Sequence, residues 1–259
     1  MGKIFVIGKD KRQETIRTLY KKEGKLANNI EDAKYILLPT PLTIDLKNIT
    51  GEDILLEEIV EFAKNKTVFA GKIPKNVRRN LEINNIEYYD LMEFDELAIK
   101  NAIPTAEGTI AKIMELTNTT IFNSNILILG FGKCGKILAD RLAGLRANVF
   151  CEARKSKDLA QIKAMRYNCV DLVEMEEILP NMDIVINTVP FMLLNRRRLD
   201  LLKQDVLIID IASAPGGTDF DYCKEKNINA ILELGIPSKV APVSASKYIK
   251  EIIDKLIGG

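Results

Sequence analysis

Short apolar runs alternate with amphipathic stretches throughout the first hundred residues. The runs over 3–7, 35–38 and 67–70 are rich in β-branched and aromatic residues, which predicts buried parallel strands. Helices are predicted over 11–22 and 54–64, because apolar side chains such as Ile59 recur there at helical spacing. Together with further strand and helix units over 74–89, this pattern indicates a flavodoxin-like α/β domain over 1–100.

A second series of apolar runs follows a helical stretch near 101–117. Strands are predicted over 125–129, 148–151, 183–187, 206–209 and 229–232, with helices over 133–144, 156–166, 195–203 and 218–226. We therefore expect two doubly wound parallel-sheet α/β domains with a cleft between them. The second domain is expected over 101–242. The tail over 243–259 carries an apolar stripe that includes Tyr248 and Leu256, and we expect it to pack back on the first domain.

Composition limits the kinds of molecule that the chain is expected to bind. The formal charge of +1 provides no overall field to attract nucleic acid or an anionic membrane surface. No apolar run approaches the ~20 residues that span a bilayer, and nothing at the N-terminus resembles a signal peptide. We therefore expect a cytoplasmic chain with neither a nucleic-acid nor a membrane partner.

The residue types available for chemistry are limited. The chain has no histidine, which excludes an imidazole base and a histidine-containing triad. Its four cysteines are scattered and form no CxxC pair, which indicates reduced thiols and no metal site. If the chain is an enzyme, its chemistry must belong mainly to a cofactor.

A glycine-rich segment supplies the main candidate for a cofactor site. Gly130, Gly132 and Gly135 directly follow the apolar run NILIL and open a predicted helix. In this context the first glycine permits a tight turn, the second lets a pyrophosphate approach the backbone, and the third lets helix and strand pack closely. Lys133 and Cys134, at the start of the helix, complete this candidate site, since helix N-termini bind anions. We therefore expect the domain over 101–242 to be a Rossmann NAD(P)-binding domain.

The end of the next strand indicates which dinucleotide is preferred. NAD enzymes place an acidic residue here, whereas this chain has Ala153 followed by Arg154, Lys155 and Ser156. Guanidinium and hydroxyl groups suit the 2′-phosphate of NADP, so we predict NADP as cofactor. Glu152 leaves an alternative open, because its carboxylate would favour NAD if it faced the ribose.

Two later loops follow apolar strands and should line the same cofactor cleft. The candidate cofactor contacts in them are Thr188, Val189, Pro190 and Ala212. The second loop continues with Ser213, Gly216 and Gly217, where the glycines either contact a ligand or simply permit a turn.

Several motifs together resemble the family formed by the A subunits of dipicolinate synthase from spore-forming bacteria. They are NAIPTAEG (101–108), GFGKCGK (130–136), ARKS (153–156), INTVP (186–190), DIASAPGGTDF (210–220) and LGIPSKVAP (234–242). The resemblance covers nearly the whole chain. It implies a C-terminal NADP-binding domain, oxidation of a tetrahydro- or dihydrodipicolinate to dipicolinate, and a flavoprotein-like B subunit of dipicolinate synthase as partner. We also expect a homo-oligomer.

A dicarboxylate substrate needs hydrogen-bond donors or positive charge, because a buried unpaired carboxylate is costly. The candidate substrate contacts are Arg12, Ser213, Gly216, Gly217, Lys239 and Ser244, of which Ser213 and Lys239 are also the candidate catalytic residues. Two other functions stay open: a reductase of another small carboxylate or imine, and a regulatory subunit that binds NADP(H) without turnover.

Overall fold

The chain forms two compact units in the computed structural model, which describes residues 2–258. Unit 1 comprises the chain up to Asn101 and the segment from Pro237 onward, and unit 2 comprises Ala102–Ile236. The C-terminal segment that belongs to unit 1 therefore begins before the expected position 243. Within residues 2–258, no helix is long and apolar enough to cross a membrane.

Unit 1 is built on a parallel sheet whose strands follow one another in the order β1-β2-β3-β4. These strands are β1 (Ile4–Val6), β2 (Tyr35–Leu37), β3 (Thr67–Ala70) and β4 (Tyr88–Asp90). On the other side of β1, Leu26 pairs in parallel with Ile4 through a single bridge. The chain thus moves first to one side of β1 and then to the other, which is a doubly wound arrangement.

The helices of unit 1 lie on both faces of this sheet. They are α1 (Lys11–Lys22), α2 (Ile59–Phe62), α3 (Lys75–Ile83), the first part of α4 (Asp95–Leu116), most of α10 (Ile236–Val240) and α11 (Pro242–Gly258). Ile59 and Val77 of α2 and α3 pack in one buried cluster, whereas Ile16 of α1 packs in another. Connections between parallel strands are right-handed, so a chain that moves to one side of β1 places its helix on one face of the sheet, and a chain that moves to the other side places its helices on the opposite face.

Helix α11 joins α1 on its face of the sheet. Ile249 and Ile253 of α11 lie in the same buried cluster as Tyr20 of α1. The hydroxyl of Tyr20 donates to Asp254 Oδ1 at 3.1 Å. The C-terminal helix is therefore an integral part of the core of unit 1.

Unit 2 contains a parallel sheet with the order β10-β9-β8-β5-β6-β7. Its strands are β5 (Asn125–Leu129), β6 (Asn148–Glu152), β7 (Asn168–Val170), β8 (Ile184–Asn187), β9 (Leu207–Asp210) and β10 (Asn229–Leu232). Besides the second part of α4, its helices are α5 (Lys133–Gly144), α6 (Ser156–Ala164), α7 (Met175–Ile178), α8 (Arg196–Leu199) and α9 (Phe220–Glu225). Starting from β5, this is the 3-2-1-4-5-6 order of dinucleotide-binding folds, so the predicted fold class is confirmed.

Several details of the secondary structure differ from the sequence-based expectation. Helix α7 was not predicted, and the helix expected over 54–64 is a 3-10 helix over Leu56–Glu58 followed by α2. Strand β7 was not predicted, because its three residues NCV form too short an apolar run. Helix α4 begins at Asp95, earlier than the expected position near 101, and contains Pro104 in its interior. Asp95 and Glu96 in its first turn stabilise the positive end of the helix dipole.

Candidate functional site

The candidate site lies at the carboxyl edge of the sheet in unit 2. Strand β5 is flanked by β6 on one side and β8 on the other, so the strand order reverses there. Loops that leave the two neighbouring strands run in opposite directions and open a crevice at this point, where open α/β sheets bind their ligands.

The glycine-rich loop connects β5 to α5 at this edge. A Cβ on Gly135 would collide with the carbonyl oxygen of Gly130, so only glycine lets the helix approach the strand this closely. In the described chain, no atom beyond the sequence neighbours of Gly132 lies within 4 Å of where its Cβ would stand. The backbone at Gly132 is therefore open to close approach by a ligand.

The first turn of α5 fits an anionic group. Its N-cap is Gly132, which has no side chain to occupy the first amide groups of the helix. Lys133 is exposed, and Cys134 is half-buried. Burial raises the pKa of the Cys134 thiol, which keeps this side chain neutral beside the loop. A pyrophosphate is the group that this combination of open backbone and helix N-terminus suits best.

The end of β6 separates one buried carboxyl group from several exposed polar side chains. Glu152 is 2% exposed, and its Oε2 atom accepts a hydrogen bond from the Gly130 N–H at 3.2 Å. Ala153 is buried, whereas the three residues that follow it are exposed: Arg154, Lys155 and Ser156. The carboxyl group therefore turns under the glycine-rich loop, while the cation and hydroxyl groups face solvent.

The loops after β8 and β9 are tied to β5 and to each other. The Thr188 hydroxyl donates to the carbonyl oxygen of Leu129 at 2.9 Å, which joins the first loop to the end of β5. The Asn187 side-chain amide donates to Asp210 Oδ2 at 2.9 Å, which joins the ends of β8 and β9. Ser213 is exposed in the second loop, and its carbonyl oxygen accepts from the Gly216 N–H at 2.9 Å.

The comparisons with known proteins agree with this geometry. Residues 100–217 match the family described as D-isomer specific 2-hydroxyacid dehydrogenase, NAD binding domain, which indicates a nicotinamide cofactor. The chain is 33% identical to the A subunit of dipicolinate synthase from Bacillus subtilis, over 98% of this chain and 95% of that protein. The chain belongs to the dipicolinate synthase A-subunit family.

Solved structures of this family have the same fold. The structure of the dipicolinate synthase A subunit from Bacillus halodurans has a TM-score of 0.90 and 29% identity, covering 100% of this chain and 98% of that one. The corresponding structure from Bacillus subtilis has a TM-score of 0.87 and 31% identity, covering 99% and 95%. The predicted resemblance is therefore confirmed.

The residues predicted to contact a dicarboxylate in this family member are distributed over both units. Arg12 and Ser244 belong to unit 1, together with the exposed Lys239 of α10, whereas Ser213, Gly216 and Gly217 belong to unit 2. Within unit 1, the Ser246 hydroxyl donates to the backbone carbonyl of Arg12 at 3.0 Å. The start of α1 therefore contacts the beginning of α11.

The guanidinium of Arg12 already has partners in unit 1. Its Nη2 atom lies 2.7 Å from Asp10 Oδ2 and 2.6 Å from the carbonyl oxygen of Thr40. The Arg12 side chain is only 14% exposed. A substrate carboxylate at Arg12 would therefore share this cation with Asp10.

Asn187 and Asp210 were not among the predicted site residues. Each is the last residue of an otherwise apolar strand, and both are 0% exposed. A polar residue that ends a buried strand was the available signal, since such side chains must find hydrogen-bond partners. All four cysteines are free thiols, and residues 2–258 contain no group of three side chains suited to hold a metal ion.

Proposed function

We propose that the chain is the NADP-dependent dehydrogenase component of a dipicolinate synthase. It would oxidise dihydrodipicolinate, formed from hydroxytetrahydrodipicolinate, to dipicolinate during sporulation. The observation that carries the proposal is the open backbone at Gly132 on the N-terminus of α5, in a member of this family. A dehydrogenase needs a bound dinucleotide at this position.

The preference for NADP rests on the end of β6. Exposed Arg154, Lys155 and Ser156 offer charge and hydrogen-bond donors to a 2′-phosphate. Glu152, which would repel that phosphate from the surface, is instead buried against the Gly130 N–H. The remaining proposed cofactor contacts are Gly130, Gly132, Lys133, Cys134, Gly135, Ala153, Thr188, Val189, Pro190 and Ala212.

The proposed reaction asks little acid–base chemistry of the protein. When bound, the nicotinamide cofactor supplies a two-electron acceptor. Because a dihydropyridine becomes aromatic on oxidation, loss of a hydride and a proton is favourable without an imidazole base, and the chain has no histidine. The protein would mainly bind and orient the substrate and exclude water.

The proposed substrate contacts include a guanidinium, an ammonium and two hydroxyl groups, which suit two carboxylates, whereas the N–H groups of Gly216 and Gly217 already donate to Ser213 and Asp210. In unit 1 they are Arg12, Lys239 and Ser244, and in unit 2 they are Ser213, Gly216 and Gly217. Ser213 and Lys239, both exposed, are the proposed catalytic residues. The chain would also assemble with the flavoprotein-like B subunit of dipicolinate synthase and form a homo-oligomer. Co-purification of the two proteins tests that part of the proposal.

A single-turnover experiment tests the reaction. The chain, with and without the B subunit, is mixed with NADP⁺ and freshly generated dihydrodipicolinate, and absorbance is followed at the reduced-nicotinamide band. Stoichiometric reduction that ends with dipicolinate supports the dehydrogenase. Binding of NADP(H) without reduction in either sample would instead identify a regulatory protein, and turnover only with another carboxylate or imine would identify a different reductase.

A further inference from the structure

A fully buried carboxylate organises the loop that follows β9. Asp210 is 0% exposed and is the last residue of its strand. Its Oδ2 atom accepts from the Gly217 N–H at 2.7 Å, the Thr218 hydroxyl at 2.9 Å and the Asn187 side-chain amide at 2.9 Å. Its Oδ1 atom accepts from the Ala212 N–H at 3.0 Å. Four donors on one carboxylate fix both ends of the loop.

Asn187 extends this network to the loop after β8. The same side-chain nitrogen that reaches Asp210 also donates to the carbonyl oxygen of Val189 at 2.9 Å. The Asn187 Oδ1 atom accepts from the Val189 N–H at 3.1 Å. The conformation of the first loop is therefore linked, through one buried amide, to the carboxylate that holds the second.

The two loops are also in close backbone contact. A Cβ on Gly217 would lie 2.7 Å from both Asn187 Nδ2 and the carbonyl oxygen of Val189, so the loops meet without room for a side chain. The Gly217 carbonyl oxygen accepts from the N–H groups of Leu193 and Leu194, at 2.9 Å each. Displacing one loop must therefore displace the other.

We propose that Asp210 is a positioning residue that fixes the nicotinamide end of the bound cofactor through Asn187 and Gly217. Dinucleotide-binding sheets consist of two halves, each of which binds one nucleotide. The glycine-rich loop and Arg154 belong to the half formed by β5, β6 and β7, which would bind the adenosine end. The Asp210 network belongs to the half formed by β8, β9 and β10, which would bind the nicotinamide end. The positioning role rests on the proposed function, since it requires that the chain binds a nicotinamide dinucleotide.

The test compares a whole cofactor with its adenosine half. Binding of NADPH and of adenosine 2′,5′-bisphosphate, which lacks nicotinamide, is titrated for the full chain and for Asp210→Asn. Asparagine keeps the shape but turns an N–H₂ group toward existing donors. We expect NADPH binding to weaken about tenfold and the emission change of bound NADPH to be lost, because buried charge-assisted hydrogen bonds are removed. Binding of the bisphosphate should stay within about twofold.

Asp183→Asn provides the matched control. Asp183 accepts from the Asn125 N–H at 2.8 Å in the same sheet, but it precedes β8 at the opposite edge. This variant should bind both ligands as the unsubstituted chain does. Thr218→Val removes only one of the donors to Asp210, so it should give a smaller loss of NADPH affinity. This milder variant tests the positioning role even if Asp210→Asn does not fold.

The outcomes separate the positioning role from the proposed function. If Asp210→Asn and Thr218→Val weaken both ligands equally, or weaken neither, Asp210 supports only the fold and the positioning role is overturned. If the unsubstituted chain binds neither NADPH nor the bisphosphate, the proposed function itself fails, and the positioning role fails with it.

Discussion

The Gly130 N–H donates to Glu152 Oε2 at 3.2 Å, which places a carboxyl group directly beneath the first glycine of the loop between β5 and α5. The other carboxyl oxygen is buried and has no hydrogen-bond partner among residues 2–258. Burial raises the pKa of Glu152, and the Gly130 N–H, Arg154 and Arg198 only partly oppose this shift. The protonation of one side chain is therefore linked to the geometry of the loop.

This relationship predicts a pH-dependent stability. Because the pKa of Glu152 is higher in the folded chain than its ordinary value of 4.5, the folded state retains a proton that the unfolded state releases. The free energy of unfolding should therefore fall as pH rises from about 4.5 through the folded pKa. Glu152→Gln, which keeps an acceptor for Gly130, should remove this decrease in urea titrations at several pH values.

The matched control is Glu177→Gln, which makes the same change of charge at a position away from the glycine-rich loop. It should leave the pH profile as in the unsubstituted chain. A profile for Glu152→Gln that also matches the unsubstituted chain would show that this carboxyl group ionises normally in the folded protein.

Cofactor choice should depend on Arg154. Arg154→Ala should weaken NADP(H) binding about tenfold or more, because one charge-assisted interaction with the 2′-phosphate is lost, and leave NAD(H) binding nearly unchanged. Fluorescence titration of both reduced cofactors measures this. Lys163→Ala, at the other end of α6, makes the same change in net charge away from the site. Equal weakening of NADPH and NADH by Arg154→Ala would contradict the assignment.

The stability of unit 1 should depend on α11. Ile253 is 0% exposed, so Ile253→Ala should lower the free energy of unfolding of unit 1 by about 2–5 kcal/mol through the loss of buried contacts and the cavity left behind. Hydrogen exchange should accelerate in α1 and β1, as it should after truncation at Pro242. Val243→Ala, at a position that is 52% exposed, should have little effect. Unchanged exchange in α1 would argue against this packing.

Substrate affinity tests the proposed anchors. Arg12→Ala and Lys239→Ala should each weaken dipicolinate binding about tenfold or more while NADP(H) affinity stays constant, because each removes a cation from a carboxylate. Lys11→Ala, an exposed neighbour in α1, is the control for the change of charge. Isothermal titration with dipicolinate measures the effect. Unchanged affinity in both variants would place the dicarboxylate elsewhere.

Periodicity predicted the bounds of α1 and α5 well, but not the start of α4, which is the longest helix. The helices expected over 11–22 and 133–144 have these bounds in α1 and α5, because each has a continuous apolar face and a clear start. The single bridge at Leu26 could not be predicted in this way, since one paired residue produces no alternation. Leu26 lies on the side of β1 opposite to β2, so it shows that the strand order of unit 1 reverses at β1. This part of the topology could be seen only in the structure.

The sequence predicted only the part of the candidate site whose residues are close together in the chain. The three glycines of the loop after β5 are close in sequence, so their spacing, together with the apolar run before them and the predicted helix after them, indicated a nucleotide site. Asn187 and Asp210 are far apart in sequence and meet only because β8 and β9 pair in register. Pairing of parallel strands through a crossover is a long-range property, which a local pattern does not contain.

The contribution of α11 to unit 1 has a consequence for synthesis on the ribosome. Ile249, Ile252 and Ile253 are buried against the first hundred residues, yet they are translated after every strand of unit 2. A nascent chain therefore exposes the apolar surface of α1 throughout the synthesis of the nucleotide-binding unit, during which chaperones can bind it. Unit 1 is complete only when translation has passed Ile253, so a prematurely terminated chain would carry an exposed apolar surface that quality control can recognise.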